Sequence, residues 1–202
     1  MIAVIDYKAG NLTSVVKALN YLGAETQVTQ DPEVVRAASK IVLPGVGHFR
    51  ATELLNELGI TEAVREAVAR GSLFLGVCVG LQWLFDGSTE APETAGLGHF
   101  AGRCKHFPSL FEGAELKSPH VGWNSLEEIA EGSRLLRGVR LGDFVYYTHS
   151  WRAPVVSDTA SVTNYGGAFT AAVERENVMG VQFHPEKSAE VGLKVLKNFV
   201  EL

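Results

Sequence analysis

The most distinctive stretch of this sequence is Leu75-Gly76-Val77-Cys78-Val79-Gly80-Leu81-Gln82. Apolar residues precede Cys78 and a helix-compatible pattern follows it, so the segment predicts a strand that turns sharply into a helix. Glycines stand two residues before and two residues after Cys78, which is the pattern of a nucleophile elbow with cysteine in place of serine. Because such a turn is crowded, a Cβ at Gly76 or Gly80 is expected to clash. The alternative is a buried structural cysteine that happens to lie between glycines.

A second stretch offers partners for that cysteine: Val181-Gln182-Phe183-His184-Pro185-Glu186. A cysteine nucleophile needs a base that takes its proton and a third group that orients the base. His184 and Glu186 follow an apolar strand pattern, and Pro185 between them interrupts strand pairing, so both side chains can project from the strand end. Alone, such a histidine is commonly structural and such a glutamate is commonly solvated. Together with the elbow they predict a triad of Cys78, His184 and Glu186.

Composition limits the class of protein. With 202 residues, 46% hydrophobic and 20% charged, the chain can bury a full core, and we expect residues 1–202 to form a single domain. A formal charge of −5 gives no reason to expect binding to nucleic acid or to an anionic membrane. No apolar run reaches the ~20 residues of a membrane span, and Met1 runs into a predicted strand without a signal pattern.

Cysteine usage indicates a reducing compartment. The chain has 2 cysteines, Cys78 and Cys104, and a disulfide between them would destroy the proposed nucleophile. We therefore expect a reduced, cytoplasmic protein. Cys104 lies near His106 but lacks flanking glycines and any Cys-x-x-Cys or His-x-x-x-His spacing, so we expect neither a second nucleophile nor a metal site there.

The order of the elements predicts an α/β fold. Strand patterns alternate with helical ones through the first half of the chain: strands at 2–5, 26–29, 40–43 and 73–78, and helices at 12–22, 32–38, 51–58 and 61–70. Such alternation specifies an open, mostly parallel twisted sheet with helices on both faces. Short strand patterns at 103–107, 144–147, 160–163, 171–174 and 178–183 predict antiparallel additions to that sheet in the C-terminal half, and an apolar stripe over 188–202 predicts a closing helix.

The loop Pro44-Gly45-Val46-Gly47 follows the third predicted strand. Sites in parallel sheets lie beyond the carboxyl ends of the strands, and this loop and Cys78 both fall there. A plain turn or a weak phosphate-binding loop are the alternatives. A phosphate loop needs a lysine and a serine or threonine in register, which this segment lacks.

Taken together, these motifs resemble the class I (triad-type) glutamine amidotransferases, and most closely the family of glutaminase subunits of imidazole glycerol phosphate synthase in histidine biosynthesis. The resemblance runs nearly end to end and rests on six segments: Ile5-Asp6-Tyr7-Lys8-Ala9-Gly10-Asn11, Pro44-Gly45-Val46-Gly47-His48-Phe49, Gly76-Val77-Cys78-Val79-Gly80-Leu81-Gln82, Pro119-His120-Val121-Gly122-Trp123-Asn124, Tyr147-Thr148-His149-Ser150 and Phe183-His184-Pro185-Glu186-Lys187-Ser188. Two departures are mild: Val79 stands where leucine is more usual, and Trp151 where tyrosine is. Neither removes a reacting group.

The resemblance implies hydrolysis of glutamine to glutamate and ammonia without a cofactor, and transfer of the ammonia to a (βα)8-barrel cyclase subunit in a heterodimer. Catalysis would use Cys78, His184 and Glu186. The amide of Val79, next to the nucleophile, is expected in the oxyanion hole on geometric grounds. A second amide, from Val46 or Gly47, is implied by the family, and the flanking glycines would allow that peptide to reorient when a partner binds.

The resemblance also implies roles for residues outside the triad and the oxyanion hole. It places four residues at the substrate: Gln82, Glu90, His149 and Ser150. A solvated charge at Glu90 and a structural histidine at 149 are the alternatives. It places five residues at the partner interface: Asn11, Trp123, Asn124, Tyr146 and Lys187. For Trp123 a place in the core is the alternative.

Three other functions remain open at this stage. Another class I amidotransferase would share the elbow and the His-Pro-Glu segment. A cysteine hydrolase that acts alone, such as a peptidase or a γ-glutamyl hydrolase of the same fold, would not depend on a partner for its rate. A non-catalytic binding module would be expected to have a broken triad, and this triad is intact.

Overall fold

A computed structural model describes residues 1–202 of the chain. Two 3-10 turns, Phe49–Thr52 and Pro185–Lys187, lie beside the longer elements. The α-helices are α1 (Leu12–Tyr21), α2 (Pro32–Ala37), α3 (Glu53–Glu57), α4 (Ile60–Ala69), α5 (Val79–Trp83) and α6 (Ala189–Glu201). The strands are β1 (Ile2–Ile5), β2 (Thr26–Thr29), β3 (Lys40–Gly45), β4 (Leu73–Cys78), β5 (Gly87–Ser88), β6 (Ala91–Ala95), β7 (Arg103–His106), β8 (Leu110–Phe111), β9 (Ala114–Glu115), β10 (His120–Ser125), β11 (Glu128–Ile129), β12 (Phe144–His149), β13 (Trp151–Arg152), β14 (Thr159–Asn164), β15 (Ala168–Arg175) and β16 (Val178–Val181).

An 8-stranded sheet with the order β11-β14-β15-β16-β4-β3-β1-β2 forms the centre of the molecule. The strands β16, β4, β3, β1 and β2 run parallel, and β15, β14 and β11 extend the sheet with antiparallel pairings. The chain moves from β1 outward to β2 and then back past β1 to β3 and β4. Because βαβ crossovers are right-handed, this reversal places α1 on one face and α2 and α4 on the other. The predicted fold class is therefore confirmed.

Buried apolar strands explain the central sheet. Every residue of β1 is buried, as expected for a parallel strand covered by helices on both faces. The N-termini of α1 and α2 differ in how they are capped. The Asp31 side chain accepts a hydrogen bond from the amide of Glu33 at the start of α2, whereas Asn11 occupies the cap position of α1 without a side-chain cap bond. No helix is long and apolar enough to cross a bilayer.

The strand register brings three chain segments to one edge. Gly45 at the end of β3 pairs with Cys78 at the end of β4. Val181 at the end of β16 pairs with Val77, so the residues that follow β16 emerge beside Cys78. The loop after β3, the turn after β4 and the His-Pro-Glu segment after β16 thus meet at the carboxyl edge of the parallel strands, where sites in such sheets form.

Two predicted strands do not join the large sheet. The strand predicted at 103–107 is β7, which belongs to a 4-stranded sheet with the order β13-β7-β5-β6. The strand predicted at 144–147 is β12, which pairs only with β10. The expectation that they extend the central sheet is wrong, because alternation shows which residues share a face but not which strand lies alongside. The strands predicted at 160–163 and 171–174 do extend it, as β14 and β15.

Candidate active site

Cys78 is placed by a strained turn between β4 and α5. Its backbone has φ 55° and ψ −107°, a conformation that a non-glycine residue rarely adopts and that concentrates at functional sites. A Cβ at Gly80 would overlap the carbonyl oxygen of Leu43, and a Cβ at Gly76 would overlap the backbone of Gly80. The expected reason for both glycines is therefore confirmed: only glycine lets strand, turn and helix pack this closely.

His184 and Glu186 form a buried pair beside the elbow. Nδ1 of His184 lies 3.0 Å from Oε1 of Glu186, and both side chains are 1% exposed. Since a carboxylate oxygen accepts, Nδ1 carries the hydrogen and donates it. Nε2 makes no hydrogen bond of full geometry. The Cys78 thiol is nevertheless close enough to the ring to influence the pKa of His184. Burial alone would lower the pKa of His184; interactions with Cys78 and Glu186 outweigh it and raise the pKa to about 10.

A cavity of about 260 Å³ opens over Cys78. It gathers all the residues that the sequence analysis proposed for the oxyanion hole and the substrate. Its lining consists of Val46, Gly47, Cys78, Val79, Gln82, Glu90, Pro119, Thr148, His149, Ser150 and Trp151. Four larger grooves, of about 440, 400, 270 and 440 Å³, lie elsewhere, and no cysteine lines any of them. A small polar cavity with a nucleophile at its base fits a small polar substrate.

The amides proposed for the oxyanion hole belong to two segments. Val79 begins α5 immediately after the nucleophile. Val46 lies in the loop after β3, and its amide donates to the carbonyl oxygen of Ala9 at 2.9 Å. Gly47 next to it has φ 103°, in the region that favours glycine. The Val46 amide would have to leave Ala9 before it could bind an oxyanion.

Three of the proposed substrate residues make defined contacts. Nε2 of Gln82 donates to the carbonyl oxygen of Trp151 at 2.8 Å and to Oε1 of Gln182 at 3.2 Å, while Oε1 of Gln82 makes no hydrogen bond. Oε2 of Glu90 accepts from the amide of Phe49 at 2.8 Å. His149 lines the cavity, but both of its ring nitrogens are used within the protein. Its place at the glutamine carboxylate stays a prediction.

His149 belongs to a buried hydrogen-bond chain whose directions are fixed. Its Nδ1 lies 2.9 Å from the carbonyl oxygen of Trp151 and must donate, so its Nε2 accepts from Nδ1 of His120 at 3.1 Å. Nε2 of His120 then accepts from Nδ2 of Asn124 at 3.4 Å. Both rings are neutral in this arrangement. Burial lowers the pKa of His120 to about 4 and that of His149 to about 3.

Three of the proposed interface residues lie together on the surface. Trp123 on β10 pairs across the strands with Tyr146 on β12, and their ring centroids are 6.0 Å apart. Nζ of Lys187 lies 5.9 Å from the centre of the Tyr146 ring. Trp123 is 52% exposed, so the alternative of a core tryptophan is wrong. Asn124 points away from this surface toward His120, and Asn11 is partly buried at the start of α1.

Sequence reasoning assigned no role to Gln182 and Tyr7, which approach the elbow. Nε2 of Gln182 lies 3.7 Å from Sγ of Cys78. The hydroxyl of Tyr7 occupies the space that a Cβ on Gly45 would need, and it is buried without a hydrogen-bond partner. Burial, and then the charge of Cys78, raise the pKa of Tyr7. Gln182 directly follows the last residue of β16, and it approaches Cys78 because β16 pairs with β4, so no local sequence pattern could have revealed it.

Comparison with known proteins agrees with this geometry. A family model described as glutamine amidotransferase class-I matches residues 3–202. A relative from Syntrophotalea carbinolica, named imidazole glycerol phosphate synthase subunit HisH, is 45% identical over 209 residues, covering 100% of both chains. The subunit of that name from Moorella thermoacetica is also 45% identical, covering 100% of this chain and 94% of its own. A solved structure described as a glutamine amidotransferase shares the fold, with a TM-score of 0.74 at 19% identity over 100% of both chains. The chain belongs to the class I glutamine amidotransferase family and, within it, to the HisH subunits of imidazole glycerol phosphate synthase.

Proposed function

We propose that this chain is the glutaminase subunit of an imidazole glycerol phosphate synthase in histidine biosynthesis, and that residues 1–202 act as one glutaminase domain. It hydrolyses the side-chain amide of glutamine and passes the ammonia to a (βα)8-barrel cyclase partner. The observation that carries the proposal is the meeting of the strained Cys78 with the buried His184–Glu186 pair at one sheet edge. Family membership over residues 3–202 supports the same conclusion.

The chemistry follows from the three side chains. The Cys78 thiol gives its proton to Nε2 of His184, its sulfur attacks the carboxamide carbon, and His184 delivers that proton to the departing nitrogen, which leaves as ammonia. The product of this step is a glutamyl thioester on Cys78. Water then attacks the thioester while His184 takes a proton from it and passes that proton to the departing sulfur, which releases glutamate and restores the thiol. Glu186 accepts from Nδ1 throughout, which orients the ring and stabilises its charged form.

The negative oxygen that forms in each half of the reaction needs donors fixed in advance. The amide of Val79 is the first. We assign the second to the loop Val46–Gly47, released from Ala9 when the partner binds. This assignment rests on the 2.9 Å bond that occupies the Val46 amide and on the glycine conformation of Gly47. The free subunit would then be slow, which limits the waste of glutamine.

The glutamine backbone is proposed to lie between Gln82 and Glu90. The unused Oε1 of Gln82 is an acceptor for the substrate ammonium, since the other end of that amide is held by Trp151. The carboxylate of Glu90 supplies the opposite charge, oriented by the amide of Phe49. The substrate carboxylate is proposed to lie beside Ser150, which also lines the cavity.

The cyclase is proposed to cover the surface formed by Trp123, Tyr146 and Lys187. Exposed apolar side chains continue this surface: Val121 is 56% exposed and Phe144 is 55% exposed. Aromatic side chains that are half exposed on a free subunit are common anchors of interfaces. The surface lies beside Pro185–Lys187 and therefore beside the triad, as ammonia transfer requires. A nucleophilic thiol that must stay reduced favours the cytoplasm as the site of action.

Glutamate release from glutamine tests this proposal. The chain is mixed with an imidazole glycerol phosphate synthase cyclase subunit and the nucleotide-like substrate of that cyclase. Glutamate release that the loaded cyclase stimulates, and that the Cys78→Ser variant lacks, supports the proposal. A well-folded chain that forms no complex, or that releases no glutamate with the loaded cyclase, would refute it.

A further inference from the structure

Gln182 is a buried polar residue that the triad mechanism does not use. It is 0% exposed and directly follows β16. Its Nε2 lies 3.7 Å from Sγ of Cys78, and its Oε1 lies 3.2 Å from Nε2 of Gln82. A buried carboxamide is retained in a core only where partners satisfy it, and one of these partners is the reacting sulfur.

The orientation of this amide follows from its neighbours. Nε2 of Gln82 lies 2.8 Å from the carbonyl oxygen of Trp151, which can only accept, so this end of the Gln82 side chain is the amino group. The second hydrogen of that group points to Gln182, whose facing atom must then be the oxygen. The amino group of Gln182 is thereby turned toward Sγ, and the sulfur receives a donor rather than a carbonyl oxygen.

We propose that Gln182 is a further catalytic residue, which donates a hydrogen bond to the Cys78 sulfur and favours its anionic form. This inference rests on the proposed function. A donor aimed at an anion is stronger than one between neutral groups, so the contact gains strength when Cys78 is ionised. The amide itself neither gains nor loses a proton in the reaction.

The choice of an amide at this position fits its neighbours. A glutamate would place a second negative charge beside the sulfur and compete with it for the His184 proton. An apolar side chain would leave the sulfur without this donor. The Gln182 amide also links substrate binding to the activation of Cys78. Gln82 donates to Gln182 and holds it in place, and the free Oε1 of Gln82 is offered to the substrate. A substrate that holds the Gln82 side chain in place therefore also holds the Gln182 amide that donates to the Cys78 sulfur.

The test measures the reactivity of Cys78 without glutamine or partner, so its outcome is separate from that of the proposed function. The variants are Gln182→Met, which keeps the size and removes the donor, and Gln182→Glu, which replaces it with a carboxylate. Asn198→Leu is the matched control, because Asn198 is a buried amide with two hydrogen bonds far from the cavity. The second-order rate of alkylation by iodoacetamide at neutral pH is followed by mass spectrometry of the Cys78 peptide.

Loss of a hydrogen bond to a charged group is expected to slow alkylation in Gln182→Met by about tenfold or more. Gln182→Glu should slow it further, and Asn198→Leu should leave it unchanged even if the protein is less stable. Unchanged alkylation in a folded Gln182→Met protein would overturn the proposal and leave Gln182 a packing residue.

A second measurement keeps Gln182 and so does not depend on whether Gln182→Met folds. The side-chain amide NMR signals of Gln182 are compared before and after Cys78 is alkylated. They are expected to move, while those of Asn198 do not. Gln182 signals that stay in place would equally overturn the proposal.

Discussion

The amide N–H of Val46 donates to the carbonyl oxygen of Ala9 at 2.9 Å. The bond ties the loop after β3 to the segment between β1 and α1, two residues before Asn11. While this bond is formed, the Val46 amide, one of the two proposed for the oxyanion hole, cannot donate to an oxyanion. A partner that displaces the Ala9–Asn11 segment would free this amide, so the contact offers a physical route from partner binding to catalysis.

The first prediction concerns this coupling. Steady-state glutaminase rates are measured for the free chain, for its complex with the cyclase, and for the complex loaded with the cyclase ligand. We expect kcat to rise by at least about tenfold from free chain to loaded complex, within the usual range of coupling between sites. A free chain as fast as the loaded complex would refute gating by the Val46 loop while leaving the triad assignment intact.

The second prediction separates ammonia production from ammonia use. His184→Ala removes the group that protonates the leaving nitrogen, so glutamine-dependent synthesis by the complex should fall by about a thousandfold or more. The cyclase reaction itself does not need this group. Added ammonium salt should therefore restore synthesis to the rate that the wild-type complex reaches with ammonium salt. If ammonium did not rescue a folded variant complex, ammonia production by this chain and ammonia use by the cyclase would not be separate functions of two sites.

The third prediction concerns the proposed interface. Trp123 is 52% exposed and packs against Tyr146, so Trp123→Ala should weaken cyclase binding by roughly thirtyfold, as expected for an aromatic anchor. Tyr21→Ala is the control, because Tyr21 is 78% exposed at the far end of α1, near the opposite edge of the sheet. Calorimetric titration with the cyclase gives both affinities. Equal losses in the two variants would place the interface elsewhere.

The fourth prediction concerns stability in acid. Burial lowers the pKa of His120 to about 4 and that of His149 to about 3, from an ordinary value of 6.5. Below pH 6.5 the unfolded chain binds protons that the folded protein refuses, so the free energy of unfolding should fall as pH drops from 6.5 toward 4. One such group changes it by at most about 1.4 kcal/mol per pH unit.

Denaturant titrations of wild type and His120→Gln at several pH values measure this effect. The variant should lose stability less steeply below pH 6.5, since it has one fewer buried imidazole. His48→Gln, which replaces an exposed histidine, should keep the wild-type slope. A His120→Gln slope equal to that of wild type would mean that these rings do not resist protonation.

The central sheet, and the two segments that bring Cys78, His184 and Glu186 to its edge, could be predicted because both depend on local patterns. Buried strands such as β1 and β4 are short apolar runs, and the glycines around Cys78 mark the elbow by steric need. The exposed two-stranded sheet of β10 and β12 was harder to predict. In β10, Val121 and Trp123 face outward while His120 is 4% exposed, so the usual apolar-inside pattern is reversed. This reversal fits the proposal that a partner, rather than the core of this chain, covers the surface.

The contacts of Gln182 and Val46 could not be predicted from local patterns, because each depends on which strands are neighbours. Gln182 meets Cys78 only because β16 lies next to β4, and Val46 meets Ala9 only because β3 lies next to β1. Strand order is a property of the whole chain, and alternation along one segment does not encode it. The role of Gln82, in contrast, was suggested by resemblance, and its contact with Gln182 emerged only with the fold.

The most direct test of the account is the site of covalent labelling by a glutamine-mimicking electrophile, located by peptide mass spectrometry. Both cysteines are free and buried, but only Cys78 lines the cavity, and burial raises the pKa of the Cys104 thiol. We predict one label, on Cys78, with protection by excess glutamine and with no label in Cys78→Ser. A label on Cys104, or labelling of Cys78 that glutamine does not slow, would contradict the assignment of this cavity as a glutamine site.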